Sequence, residues 1–340
     1  MTTWKMPIEG HPQERVWLAW PTSGYTLGDT ETEAEEARTT WAAVANAASE
    51  YQSVTVVVNP GDEQIASRYL SGQIDQISAP LNDAWMRDIG PSFVIGDDGT
   101  LGAVNFVFNG WGGQDWAEWD KDQHIGRIVA EASGAVLINS EMTNEGGGIQ
   151  VDGTGRVVLT ETVQLDPGRN PGWSKEQVEA ELTRTIGATG AIWLPRGLTR
   201  DHDTFGTRGH SDILAAFANP DLLLMHRQDA ESHPDHEIAK ANRAAVESYQ
   251  SDASDRFEIV DLPAPETLRD SEGWVDYSYI NHLVLNDAVL ACAFGDPADD
   301  RAQGVLRDAY PGREIIGIDA RPLFARGGGI HCITQQQPRV

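Results

Sequence analysis

Cysteine is nearly missing from this 340-residue chain, which has two, Cys292 and Cys332. Two thiols cannot build a disulfide framework, so the fold must rest on a hydrophobic core. Lysine is almost as scarce, confined to Lys5, Lys121, Lys175 and Lys240, and the cationic side is nearly all arginine. Lysine and arginine together number 25 against 52 acidic residues, a net charge of −27. That balance argues against nucleic acid and anionic membranes as partners, since both require basic surface. It suits solubility or a salty cytoplasm, and it would draw small cations. No apolar run approaches the roughly 20 residues of a membrane helix. The start, "MTTWKMPIEGHPQERVWLAW", has no basic region followed by an apolar one. Neither a membrane span nor a signal peptide is expected, and the reading is a reduced, cytoplasmic protein. No Pro/Ser-rich linker or low-complexity block divides the sequence, which reads as one domain over 1–340.

What is present is an alternation of strand and helix signals. Short β-branched or apolar runs appear at 54–58, 103–108, 134–139, 156–160, 222–226, 257–262, 288–294 and 314–318. Helical patterns fall between them at about 31–50, 62–71, 121–132, 175–186, 235–250 and 297–309. Ser174 followed by Gln177 forms a capping box for one of these helices. "DDGT" and "VDGTG" predict hairpins, so antiparallel pairs should accompany the crossovers. An α/β fold follows. "EGGGIQVDG" and "RGGGIHCIT" share a Gly-Gly-Gly-Ile core, a hint of repeated units in which the backbone bends or approaches a ligand before a strand.

Among residues that could do chemistry, Cys292 lies in the apolar run "VLACAF" and reads as a small core hydrophobe. Cys332 follows a glycine run and precedes "TQQQ", a setting expected to be more open to solvent. His331 beside it is not expected to be its base. In an extended stretch, neighbouring side chains point to opposite faces, and His331 reads as structural. In "FGTRGHSDI", His210 and Asp212 are two apart, so an extended backbone would put them on one face. A histidine there can shuttle protons near neutral pH. "NDAWMRDIGP" sets Trp85 and Asp88 three apart, a carboxylate and an indole suited to a planar cation. Glu145 opens the first glycine triplet. "HPDHE" offers His233, His236 and Glu237, but Pro234 intervenes and a helix starts there, so no metal site is expected. Neither glycine triplet has the dinucleotide or P-loop pattern, and acidic surroundings disfavour phosphate.

Together, "NDAWMRDIGP", "FNGWGG", "EGGGI", "LDPGRNPGWSKEQVEAEL", "IWLPRGL", "GTRGHSDI" and "GGGIHCITQQQP" resemble the agmatine deiminase family, in order and over nearly the whole chain. The family belongs to the guanidine-modifying (pentein) superfamily. The resemblance implies a pseudo-fivefold α/β propeller of ββαβ units in a single domain. It also implies hydrolysis of a small cationic guanidinium substrate, agmatine first, without metal or cofactor. It makes Cys332 the nucleophile, His210 the acid and base, and Asp88 and Asp212 the grips on the guanidinium. Glu145 would hold His210, and Trp85 and Gly329 would line the substrate's path. Homo-oligomers are implied from the family alone. The segment "RDHDTFGTRGH" is longer than the family pattern before the histidine, which opens the choice among agmatine, arginine and peptidyl-arginine. Arg208 is the residue there that could meet a carboxylate. Outside the deiminases, the other readings are a Cys–His amidase of transglutaminase or papain type and a non-catalytic binder of cations.

Overall fold

The computed structural model of the protein describes residues 2–252 and 256–340. Among the described residues the strands form five small sheets, and one unit recurs in all of them. A first strand pairs antiparallel with a second; a helix then crosses over to a third strand, parallel to the second. In the first unit Ser92–Gly96 pairs with Leu101–Val107, and Ile125–Ser133 leads to Val136–Thr143. The next has Gln150–Val151, Arg156–Thr160, helix Lys175–Ile186 and Gly190–Leu194. Then come Ala215–Asn219, Leu222–Arg227, helix Asp235–Asp252 and Glu258–Pro263. Leu283–Val284, Ala288–Ala293, helix Asp299–Ala309 and Glu314–Asp319 follow. The last unit joins distant parts of the sequence. Its first strand, Thr334–Pro338, pairs with Gln13–Ala19, and helix Glu31–Ser49 crosses to Ser53–Val58.

Local chemistry explains these elements. "VTVVV" is buried on both faces, as a parallel strand between covering layers must be. Helix Glu31–Ser49 starts on a capping box between Thr30 and Glu33. It buries Ala34, Ala37, Trp41, Ala45 and Ala48, three or four residues apart, so one stripe faces the sheet. Trp41 packs edge-on against Trp85, ring centres 5.6 Å apart, which fixes that indole beside the site. Ser174 and Gln177 form the expected capping box. The two expected hairpins are present, at the turn after Gly96 and at the turn before Arg156. His233 and His236 flank the start of helix Asp235–Asp252. Among the described residues, no helix is long and apolar enough to cross a membrane.

Candidate active site

Each unit delivers a polar group from the segment just before its first strand. Asp88 lies in the turn Met86–Ile89, ahead of Ser92–Gly96, and Glu145 and Gly147 precede Gln150–Val151. His210 and Asp212 precede Ala215–Asn219, Asn281 precedes Leu283–Val284, and Cys332 precedes Thr334–Pro338. The repeat therefore brings five separate stretches to one place.

Gly147 marks where they meet. A Cβ there would lie 2.5 Å from His210 Nδ1, 3.0 Å from Asp88 Oδ1 and 3.1 Å from Asp212 Oδ2. The middle glycine of the second triplet, Gly328, does the same on the other side, where a Cβ would lie 2.7 Å from the Trp85 ring and 3.1 Å from Cys332 Sγ. Only glycine leaves space at either position. The thiol lies 3.5 Å from Asp212 Oδ2, accepts from Asn281 Nδ2 at 3.2 Å, and accepts from the Gly329 backbone N–H. His210 Nε2 is 3.1 Å from Glu145 Oε2, and its Nδ1 is 3.8 Å from Asp88 Oδ1. Arg169 Nε donates to both oxygens of Glu145 at 3.0 Å, and its Nη2 donates to Thr207 O. Asp88 accepts from Trp111 Nε1 at 2.9 Å and from the Gly147 N–H at 3.2 Å. Trp111 reaches Asp88 because "GWGG" turns through positive φ, 55° at Trp111 itself, between glycines that tolerate it.

The charges are tightly balanced. Burial would depress the His210 imidazolium, but Asp88 and Glu145 outweigh it and carry its pKa up to about 9. Burial would lift Glu145, but Arg169 and His210 hold it at about 2. Asp88 is lifted by burial to about 6, with His210 opposing. For Asp212, burial is outweighed by His331, and the carboxyl stays below the usual range. Burial, then Asp212 and Asp88, push the Cys332 thiol well up. Among the described residues, two buried polar atoms here have no hydrogen-bond partner, His210 Nδ1 and Asp212 Oδ1. Buried polar atoms are rarely left so, and these mark a place for a ligand that donates and accepts. A thiol, a protonated imidazole and two carboxylates can attack, protonate and hold a planar cation.

The Porphyromonas-type peptidyl-arginine deiminase family matches residues 5–338. The chain belongs to this family. Within reach of the match is a Streptomyces coelicolor protein named "Putative agmatine deiminase", 51% identical over 99% of this chain and 100% of its own. The agmatine deiminase of Stutzerimonas stutzeri is 34% identical over 98% of this chain and 95% of its own. The solved agmatine deiminase of Enterococcus faecalis superposes with a TM-score of 0.89 at 30% identity, covering 99% of this chain and 96% of that one.

Against this deiminase frame, the structure brings Cys332, His210, Glu145, Asp88, Asp212, Trp85 and Gly329 into one region. Cys292 is a strand residue in the core, its thiol donating to Asn281 O and raised by burial to about 12. Two local expectations are corrected. Cys332 is 5% exposed, not open to solvent, because Gln335, Gln336 and Gln337 are themselves buried and hydrogen-bonded. Cys332 lies in a turn and His210 just before a single 3-10 turn, Ser211–Ile213, so neither pair is on an extended strand. Asn281, Trp111, Arg169 and Glu9 were not singled out. Trp111 and Arg169 stand inside motifs that carry the resemblance. Asn281 has no local signal, but it occupies the fourth unit's equivalent of the slots that hold Asp88, Glu145, His210 and Cys332.

Proposed function

We propose that this protein is a cysteine-dependent hydrolytic deiminase whose substrate is agmatine, giving N-carbamoylputrescine and ammonia. The convergence of Asp88, His210, Asp212 and Cys332 on the space at Gly147 carries this reading. Asp88 and Asp212 hold the guanidinium NH groups in plane and expose its carbon to Cys332 Sγ. The bound cation offsets the two carboxylates that keep the resting thiol protonated, so the thiol gives its proton to solvent on binding and recovers one when product leaves. Asn281 and the Gly329 N–H support the charge on sulfur. Attack forms an S–C bond, His210 gives a proton to the departing nitrogen, and ammonia leaves a thiouronium on Cys332. The neutral imidazole then takes a proton from water, whose oxygen adds to the same carbon. The S–C bond breaks, the ureido product leaves, and the hydroxyl proton ends on ammonia as ammonium. Glu145, fixed by Arg169, holds His210 for both transfers.

Two features favour a slender free amine over arginine or a peptide. From Asp88 outward runs a series of aromatic rings: Trp111 stacks on Trp116 at 5.2 Å, Trp116 meets Tyr25 at 5.1 Å, and Tyr25 stacks on Phe205 at 4.2 Å. Aromatic faces suit an alkylammonium chain. Arg208, the residue that could meet a substrate carboxylate, is paired with Asp166 at 3.1 Å. We also read the five units as a closed pseudo-fivefold propeller, the pentein fold, in one domain over 1–340. The shared sheet of Thr334–Pro338 with Gln13–Ala19 supports that closure. The test compares ammonia release from agmatine, free arginine and a blocked arginine peptide, with mass spectrometry of trapped enzyme. Agmatine turnover well below the other two, or no adduct on Cys332, refutes the reading.

A further inference from the structure

We propose that His331, the neighbour of the nucleophile, is a positioning residue: clamped between Glu9 and Asp212, it fixes the Asp212 carboxylate by one oxygen beside the thiol and leaves its other oxygen unpartnered. The inference rests on the proposed role of Asp212 as a grip on the guanidinium. His331 is buried, with Nδ1 2.8 Å from Asp212 Oδ2 and Nε2 2.6 Å from Glu9 Oε1. A neutral imidazole has one N–H and could satisfy only one of these carboxylates, so two short contacts call for the imidazolium. Its backbone N–H donates to Asn281 Oδ1 at 3.0 Å, which fixes the ring's origin. Glu9 is fixed in turn by Arg87 Nη1 at 3.4 Å and Gln336 Nε2 at 3.1 Å. Arg87 stands between Trp85 and Asp88, and its backbone N–H donates to Cys332 O at 3.1 Å. The clamp is therefore built into both the "WMRD" turn and the cysteine turn.

The consequence falls on Asp212. Its Oδ2 meets His331 and the thiol at 3.5 Å, while Oδ1 is buried without a partner. A free carboxylate would rotate and share both oxygens with its neighbours. One held by an imidazolium keeps a single oxygen for an incoming N–H. The ionisable and charged groups facing His331 are Glu9, Arg87, Asp212, Cys332 and, farther off, His282. Burial and Arg87 oppose its proton, and Glu9 and Asp212 together outweigh them.

Three variants test this. An asparagine amide can stand where Nδ1 stands, so H331N keeps the Asp212 contact and loses Glu9. A glutamine amide can stand where Nε2 stands, so H331Q keeps Glu9 and loses Asp212. With equal melting temperatures, the agmatine KM of H331Q should exceed that of H331N by about 10- to 100-fold, the worth of one hydrogen bond to a charged group. The kcat values should differ less, because Asp212 grips ground and transition states alike. E9Q removes a charge that favours the proton on His331, so the NMR titration profile of the His331 ring should move to lower pH than in wild type. Equal losses in H331N and H331Q would mean the ring only fills space. That result, or an E9Q profile that overlays wild type, overturns the proposal. Absence of agmatine turnover in wild type would instead sink the assigned activity and leave the clamp's geometry untouched.

Discussion

Replacing Trp111 with phenylalanine removes one hydrogen bond and little packing, since an aromatic ring can still lie between Phe108 and Trp116. The bond lost is Nε1–H to Asp88 Oδ2, at 2.9 Å. Asp88 then keeps the Gly147 N–H but has one donor fewer to stabilise its charge. Burial already lifts this carboxyl to about 6. A hydrogen bond to a charged group is worth about 1.5–3 kcal/mol. At about 1.4 kcal/mol per unit, the loss raises Asp88 by roughly one to two units. Asp88 grips the guanidinium as a carboxylate, so kcat/KM climbs with pH through its pKa. The acid limb of the variant should therefore move up to about 7–8, while the alkaline limb, set by His210 near 9, stays in place. At pH 7 the ionised fraction of Asp88 falls from about nine-tenths to between about a half and a tenth. The assay is initial ammonia release at low agmatine, from pH 5 to pH 10, for wild type and variant. A variant whose acid limb overlays wild type, or whose loss is the same at every pH, would show that the indole does not set Asp88's ionisation.

Cys332→Ala should abolish turnover while agmatine still raises the melting temperature, because the carboxylates remain. Cys292→Ala should keep most activity and lose about 1 kcal/mol of stability, read by urea denaturation. Gly147→Ala puts a methyl 2.5 Å from His210 Nδ1. It should cut kcat/KM by about 100-fold or more, measured beside a melting curve that shows the fold intact. Glu145 ionises at about 2 in the folded protein against an ordinary 4.5. It therefore contributes stability fully present above pH 4.5 and lost as pH falls towards 2. Glu145→Gln takes from buried Arg169 one of its two carboxylate partners, leaving Asp166 at 3.0 Å. It should cost about 3–5 kcal/mol at neutral pH, a loss that shrinks in urea titrations at pH 3.

The fold was legible where short-range pattern and burial agree. "VTVVV" and "RVVLT" are strands because parallel neighbours bury them on both faces, and Ser174 caps its helix through contacts three residues away. "TQQQP" defeats such reasoning. It has little apolar character, yet it is a buried strand, because Gln337 accepts from Trp17 Nε1 and Gln336 bonds to Glu9. Hydropathy cannot see an amide whose partners lie more than 300 residues away. The same limit hid Glu9 and Asn281. The residues expected to touch the substrate were found, and those that act through another side chain were not, Trp111 and Arg169 among them although they stand inside motifs. Repetition offers the remedy: the slot before each unit's first strand, once recognised from Asp88, Glu145, His210 and Cys332, points to Asn281 in the unit left empty.

The resting thiol has a consequence for wear. Peroxide and electrophiles react with thiolate, and susceptibility to oxidation follows thiolate character and exposure. Cys332 is buried beside two carboxylates that hold its proton on, and Cys292 is sealed in the core. Idle enzyme should therefore age slowly under oxidant. The cation that switches the sulfur on is also what makes it vulnerable, so oxidative damage should track turnover more closely than time.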